Sequence, residues 1–305
     1  MRFFQLGATA LCCLTAFNPL SGQTILVNAE SELKIWARQM LTDSIDGQRE
    51  TAADSLFVGM QRALAMPGSF DYPFDSLPQI SFKTPPDRKF RIITWQLMQN
   101  DSTWQHFGFL QVQQPKPALY VLHDQRAELP YKPVREQLSP EHWYGALYYN
   151  LYQFDATQGR RYLLFGFDGF SLSERRKLIE VLWFDPKTGE PRFGDTVFDR
   201  GKDVDAEPEL RILLEYYAEG VVRLNWDESY KMILFDHLIP MSSPYNGQMT
   251  YVPDGSYQGF RLEKGRWIFI DRVFTDVQEE APRPFPVLDK EQNKDIMGRE
   301  RKKKN

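Results

Sequence analysis

The residues best suited to acid–base chemistry are the adjacent pair Asp236 and His237, which end an apolar stretch that begins at Met232. A general base is commonly an imidazole, and a neighbouring carboxylate can orient it. A hydrolase also needs an activated nucleophile, and the sequence has no Gly-x-Ser-x-Gly turn that would present one. Two interpretations follow, a catalytic base and a hydrogen-bonded corner at a strand end, and the missing nucleophile turn favours the corner.

A cluster of aromatic residues offers a second candidate site. Trp143, Tyr144 and Tyr148 lie close together in a stretch that is rich in tyrosine. Tyrosine and tryptophan give large contact areas at a low cost in conformational entropy, so they could form a stacking surface for sugar or peptide. Aromatic residues also fill the space between sheets, and this packing interpretation is the favoured one.

The sequence lacks the ligand patterns of metal and cofactor sites. Its four histidines are His106, His123, His142 and His237, and none lies three to five residues from another histidine, as zinc sites usually require. No glycine-rich phosphate loop occurs. We therefore predict neither a metal centre nor a cofactor.

A phenylalanine followed by an aspartate recurs at the ends of apolar stretches. The copies are Phe154-Asp155, Phe167-Asp168, Phe184-Asp185, Phe198-Asp199 and Phe235-Asp236. A ring of these carboxylates could hold Ca²⁺. Their spacing is irregular, however, and aspartate at a strand end commonly accepts hydrogen bonds from the following turn, so the turn interpretation is favoured.

The first residues have the pattern of a cleavable signal peptide. Arg2 precedes an apolar run over residues 3–17, and the small residues Ser21 and Gly22 follow. This run is shorter than the roughly 20 residues that a membrane-spanning helix needs. We predict that residues 1–22 are removed, that the protein is periplasmic or extracellular, and that no transmembrane segment remains after cleavage.

Cysteine content and charge argue against disulfide bonds and against a nucleic-acid partner. The only cysteines, Cys12 and Cys13, lie within the predicted signal peptide, so the mature chain would depend on its hydrophobic core rather than on disulfides. The formal net charge is −4, and basic residues concentrate near the C-terminus, which leaves the rest of the chain acidic. An acidic body argues against a nucleic-acid partner, because nucleic acids select a basic face.

Apolar residues at helical spacing appear only near the N-terminus. Leu33, Trp36 and Met40 form one apolar stripe, and a second stripe follows Asp46, so residues 23–66 are predicted to form a helical hairpin. Residues 67–88 contain five prolines and are predicted to be a linker or a wrapped loop.

The apolar period changes to two from residue 89 onward. Stretches rich in aromatic and β-branched residues, among them 191–198, 248–252 and 257–262, alternate with short turn sequences up to residue 275, which predicts antiparallel hairpins. Residues 254–256 are expected to form the turn before the strand at 257–262. The fold class is therefore predicted as α+β, with a helical hairpin followed by a large antiparallel β-meander. Sandwich-like sheets are the first choice and a partial propeller is the second. Residues 276–305 are proline-rich and then charged, and they are predicted to be a disordered tail.

Four stretches of the β region carry a recognisable pattern, namely residues 162–168, 177–185, 232–240 and 253–260, within a region from 89 to 272. Together they resemble a family of uncharacterised exported bacterial proteins, mostly of the Bacteroidetes. The resemblance implies export and one continuous β unit. It implies no activity, cofactor or catalytic residue.

Together these patterns predict an exported, soluble, β-rich protein with a non-catalytic binding or structural role in the cell envelope. Its expected partner is a protein or a glycan of the envelope. The alternative is an extracytoplasmic hydrolase that acts on glycan or peptide through Asp236 and His237. The absence of catalytic motifs favours the non-enzymatic role.

Overall fold

The computed structural model describes residues 19–99, 103–113, 115–201, 207–243 and 247–274. Two helices come first, α1 over Pro19–Thr42 and α2 over Asp46–Leu64. Neither helix, within this described part of the chain, combines the length and the apolar character that a membrane crossing would require.

The two helices pack against each other and bury one apolar stripe each. Leu33, Ala37 and Met40 of α1 and Leu56 and Met60 of α2 are all buried. The helical hairpin that the sequence predicts is therefore present. Helix α1 begins earlier than the predicted hairpin, and the expected cleavage position after residue 22 lies inside it, while residues 1–18 lie outside the described residues.

The proline-rich segment after α2 contributes to the core that the helices share with the β region. Phe74, Leu77 and Ile80 of this segment are buried. The segment also surrounds the buried guanidinium of Arg91, which donates hydrogen bonds to the backbone carbonyls of Tyr72 and Ser69. The segment is therefore a loop wrapped against the core and not a free linker.

Fourteen strands follow among the described residues, and they form three sheets. Sheet 1 is a four-stranded antiparallel meander. Its strands in spatial order are β1 (Ser81–Lys83), β2 (Phe90–Gln99), β3 (Thr103–Val112) and β4 (Ala118–His123).

Sheet 2 is also antiparallel and occupies the middle of the molecule. Its strands in spatial order are β5 (Leu147–Ala156), β6 (Gly159–Asp168), β7 (Glu174–Phe184) and, beside β7, both β8 (Pro191–Phe193) and β10 (Ile212–Tyr217). β10 pairs with the first half of β7 and β8 with its end.

Sheet 3 contains a third antiparallel meander with one parallel strand added. The strands of the meander are β11 (Leu224–Asp227), β12 (Met232–Ser242), β13 (Met249–Glu263) and β14 (Arg266–Ile270). The short β9 (Phe198–Asp199) pairs in parallel with β14. The predicted fold class, α+β with a helical hairpin and a large antiparallel β region, is confirmed.

The hairpin and the three sheets form four layers with a hydrophobic core in each gap. Ile93 and Trp95 of β2 face the helices, whereas Phe90 and Ile92 of the same strand face sheet 2. Strand β6 also has two apolar faces: Leu164 faces sheet 1, while Leu163 and Phe165 face sheet 3. Alternation along a strand therefore places apolar side chains in two different cores.

Two predicted strand boundaries are wrong. The predicted strand over 191–198 is two short strands, β8 and β9, in different sheets. The predicted strands over 248–252 and 257–262 are one strand, β13, which runs through residues 254–256. Gly255 has a φ of 86°, and the pairing register with β12 shifts there, so the expected turn is accommodated as a bulge within the strand.

The first strands of the three meanders lie on one side of the molecule. The Ser81 hydroxyl of β1 donates to the backbone carbonyl of Tyr148 in β5. The Tyr149 hydroxyl of β5 in turn donates to the carbonyl of Leu224 in β11. β1, β5 and β11 are each the terminal strand of their sheet, so three sheet edges meet on this side.

Candidate functional site

Asp236 and His237 are adjacent in β12, but their side chains have different partners. Asp236 is buried and accepts a hydrogen bond from the backbone N–H of Arg223. The Nδ1 atom of His237, which is partly exposed, lies 2.8 Å from Oδ2 of Asp254. The corner interpretation describes Asp236, because its carboxylate satisfies the backbone of the turn that precedes β11.

The group around His237 has the wrong order for nucleophilic catalysis. The Ser256 hydroxyl donates to Oδ1 of Asp254 at 2.7 Å, so the carboxylate lies between the hydroxyl and the imidazole. A catalytic triad needs the imidazole between them, because the imidazole must take the proton of the hydroxyl. The hydrogen bonds from Ser256, together with that of His237, hold the pKa of Asp254 well below its usual value.

The aromatic candidates Trp143, Tyr144 and Tyr148 are all fully buried. Their indole and phenol groups bond inside the protein: Trp143 Nε1 donates to the Tyr148 hydroxyl at 2.9 Å, and the Tyr144 hydroxyl donates to Oδ2 of Asp168 at 3.0 Å. Burial raises the pKa of both tyrosines well above the usual value. These residues offer no stacking surface for sugar or peptide, since the core between sheets 1 and 2 covers them.

The aspartates of the recurring Phe-Asp motif are mostly turn acceptors. Asp168, Asp185 and Asp199 each accept a hydrogen bond from the backbone N–H two residues further on. This is the arrangement that the turn interpretation describes. Within the described ranges, no group of three or more acidic, histidine or cysteine side chains is placed to hold a metal ion.

A buried ionic network between sheets 1 and 2 could not be foreseen from sequence spacing. His106 of β3 lies between two carboxylates, with Nδ1 3.2 Å from Oδ2 of Asp124 and Nε2 3.8 Å from Oδ1 of Asp168. Arg126 also pairs with Asp168 and donates to the backbone carbonyl of Trp104 at 2.7 Å. The network therefore joins β3 and the segment after β4 to the end of β6.

Hydrogen bonds within this network lower the pKa of Asp124. Burial alone would raise the pKa of Asp124, but bonds from the His106 ring and from the backbone N–H groups of His106 and Arg126 outweigh it and lower the pKa. The network continues from Tyr144 to Arg176, whose Nε donates to Glu215 at 2.8 Å. Because its members bond to one another, we interpret the network as a tie between two layers.

A surface depression lies where the edges of sheets 1 and 2 meet. Residues 73–75 and 77–83, together with Leu147 and Tyr149 of β5, line it, and its volume is about 440 Å³. This volume lies within the range of typical small-ligand sites. The lining combines buried apolar side chains, such as Phe74, with the half-buried polar residues Gln79 and Lys83.

The wall of the depression is fixed by contacts behind it. Glu30 of α1 accepts hydrogen bonds from the Tyr72 hydroxyl and, at 2.7 Å, from the backbone N–H of Ser76. Between these contacts Phe74 adopts a φ of 55°, which a bulky residue rarely does, and its ring stacks on Phe82 with centroids 5.4 Å apart. Packing and hydrogen bonds thus hold a strained backbone conformation in place.

Lys83 is the cation of this depression. It shares a face of β1 with Ser81, whose hydroxyl contacts β5, because side chains two apart on a strand point the same way. Burial lowers the pKa of Lys83. Among the described residues no ion pair or hydrogen bond of its ammonium group occurs, in contrast to Lys132, which pairs with Glu215.

Comparison of the chain with protein-family models, with curated proteins and with solved structures finds no match. The resemblance to exported proteins of the Bacteroidetes therefore stays a prediction.

Proposed function

We propose that this protein is exported to the periplasm or beyond and binds a protein or glycan of the cell envelope without converting it chemically. The observation that carries the proposal is the depression between β1 and β5, whose wall is fixed in advance. A preformed shape lowers the entropy that binding would otherwise cost. Apolar side chains with a few polar groups are the usual lining of a binding site.

The hydrolase alternative draws no support from the geometry. Asp236 is engaged by the backbone, and the carboxylate of Asp254 separates Ser256 from His237. The hydrolase alternative is tested by screening polysaccharides and peptides for hydrolysis by the wild-type protein and by the Asp236→Asn and His237→Ala variants. Turnover that either substitution abolishes, with the fold intact by circular dichroism, would restore the hydrolase and remove the proposed binding role.

Export is tested separately from binding. The chain is expressed in a Gram-negative host, and the material in each cell fraction is weighed by intact-mass spectrometry. We expect the mass of residues 23–305 in the periplasm or the medium. Material that retains residues 1–22 in the cytosol would contradict export.

Binding is tested with two defined ligand collections, namely purified cell-wall glycans and an array of synthetic peptides. Gln79→Trp places a large side chain in the depression and should abolish retention of the bound collection. The matched control is Gln158→Trp, which puts the same side chain on an exposed turn between β5 and β6. Wild-type protein that retains neither collection, or Gln79→Trp protein that retains its ligand undiminished, would contradict the proposed function.

A further inference from the structure

We propose that the depression takes an extended peptide segment, which adds to the open edge of β1 and places a carboxylate against Lys83. This inference rests on the proposed binding function and specifies its partner. Three features of the depression carry it, namely the sheet edge, the unpaired ammonium group and the apolar wall.

The sheet edge supplies the backbone contacts. β1 pairs with β2 on one side only, and its residues 81–83 line the depression. In the described chain, no backbone hydrogen bond outside sheet 1 involves residues 81–83. An edge strand that keeps free N–H and C=O groups is a template for another strand, and recognition by strand addition uses this property. A glycan has no regular row of amides that could complete such an edge.

The ammonium group of Lys83 supplies the charge preference. A half-buried cation has lost part of its hydration, so a partner that returns an opposite charge gains more there than at an exposed lysine. The other charged group of the lining, Asp75, is exposed. A carboxylate of the peptide is therefore expected next to Lys83, away from the Asp75 side of the rim.

The half-buried side chains of Phe82, Leu147 and Tyr149 supply apolar contacts on the same edge. Phe74, Leu77 and Ile80 are buried behind them and belong to the core. In an added strand, side chains alternate between the two faces. The best peptide therefore alternates apolar residues with polar ones and carries one glutamate.

The test uses fluorescent octapeptides with alternating valine and threonine and one central glutamate, and fluorescence anisotropy measures their affinity for the mature protein. A second peptide has glutamine at the centre, and a third has N-methylated amides on the edge that would pair with β1. We expect the glutamine peptide to bind about 10- to 100-fold more weakly, which is the loss of a charged hydrogen bond. The N-methylated peptide should not bind.

The protein variants are Lys83→Gln and, as a matched control, Lys89→Gln. Lys89 is also half-buried and its pKa is also lowered by burial, but it lies over the ring of Phe184, outside the depression. Lys83→Gln should bring the glutamate and glutamine peptides to equal affinity, and Lys89→Gln should preserve their difference.

The outcomes separate this inference from the proposed function. Equal binding of glutamate and glutamine peptides by the wild-type protein would overturn the role of Lys83, and binding of the N-methylated peptide would overturn strand addition. If cell-wall glycans bind and Gln79→Trp abolishes that binding while every peptide fails, the inference is wrong and the proposed function stands. If neither glycans nor peptides bind, both are wrong.

Discussion

Replacement of Arg211 by methionine should make stability strongly dependent on pH, because it leaves a carboxylate alone in the core. Arg211 and Glu180 are both fully buried, and Nε of Arg211 lies 3.0 Å from Oε2 of Glu180. Arg211 also donates to the carbonyl of Pro133, so the pair joins β7 to the segment after β4. Burial raises the pKa of Glu180, and Arg211 opposes that rise.

The size of the effect follows from proton linkage. Without Arg211, the buried Glu180 stays protonated in the folded variant, whereas an unfolded glutamate releases its proton near pH 4.3. The folded state then binds one proton more than the unfolded state, so stability falls as pH rises, by about 1.4 kcal/mol per unit. The loss attributable to Glu180 is about 1 kcal/mol at pH 5 and about 3.7 kcal/mol at pH 7, which agrees with the 3–5 kcal/mol expected when a buried pair is broken.

Urea denaturation followed by tryptophan fluorescence at pH 5, 6 and 7 measures this loss. The reference protein is the double variant Glu180→Gln with Arg211→Met, which has no carboxylate to protonate. The single variant should approach the stability of the double variant at pH 5 and fall below it at pH 7. A difference between the two that stays constant over this range would refute the reasoning, since it would mean that the Glu180 site is not desolvated.

Three further predictions concern the fold and its buried network. In urea denaturation, Gly145→Ala should destabilise the protein by at least about 1 kcal/mol more than Gly189→Ala. Both glycines have a positive φ, so the backbone strain is similar. An added Cβ at 145 would lie 2.6 Å from the Asp124 carboxylate, whereas nothing lies within 4 Å of one at 189. Asp124→Asn should lower the free energy of unfolding at pH 6 and reduce its further decrease between pH 5 and pH 3. The reason is that the lowered pKa of Asp124 contributes stability that disappears as pH falls. A variant whose free energy of unfolding decreases between pH 5 and pH 3 as steeply as that of the wild type would count against this. Trp95→Ala, which removes a fully buried ring between the hairpin and sheet 1, should cost about 3–5 kcal/mol in the free energy of unfolding, and a loss under 1 kcal/mol would contradict that packing.

The local sequence pattern was sufficient to predict the two helices and most of the β-hairpins. The turn Thr157–Gly159 joins β5 to β6 and the turn Glu263–Gly265 joins β13 to β14, in both cases where turn residues interrupt a period of two. These pairings need only neighbouring sequence, so short-range chemistry determines them. The parallel pairing of Phe198 with Trp267 depends on residues far apart in the chain, and no local signal predicts it.

The candidate sites were harder to predict, because the middle sheet is covered on both faces. In a sheet with one solvent-exposed face, apolar and polar residues alternate along each strand and mark the buried and exposed side chains. In β5 and β6, side chains on both faces pack against a neighbouring layer. The aromatic cluster at Tyr148 could therefore be taken for a surface. The ties of His106 to Asp124 and Asp168 depend on how two sheets stack, and sequence spacing does not encode that distance.

The central position of sheet 2 has a consequence for how the molecule opens. Its strands β6 and β7 contribute to two cores at once, so water cannot reach their amides unless both neighbouring layers separate. Their hydrogens should exchange with solvent only when the whole chain unfolds, whereas those of β1, β9 and β11 exchange through small local openings. A fragment that ends within sheet 2 would lack sheet 3, so the apolar face of sheet 2 that packs on sheet 3 would be exposed and the fragment would aggregate rather than fold.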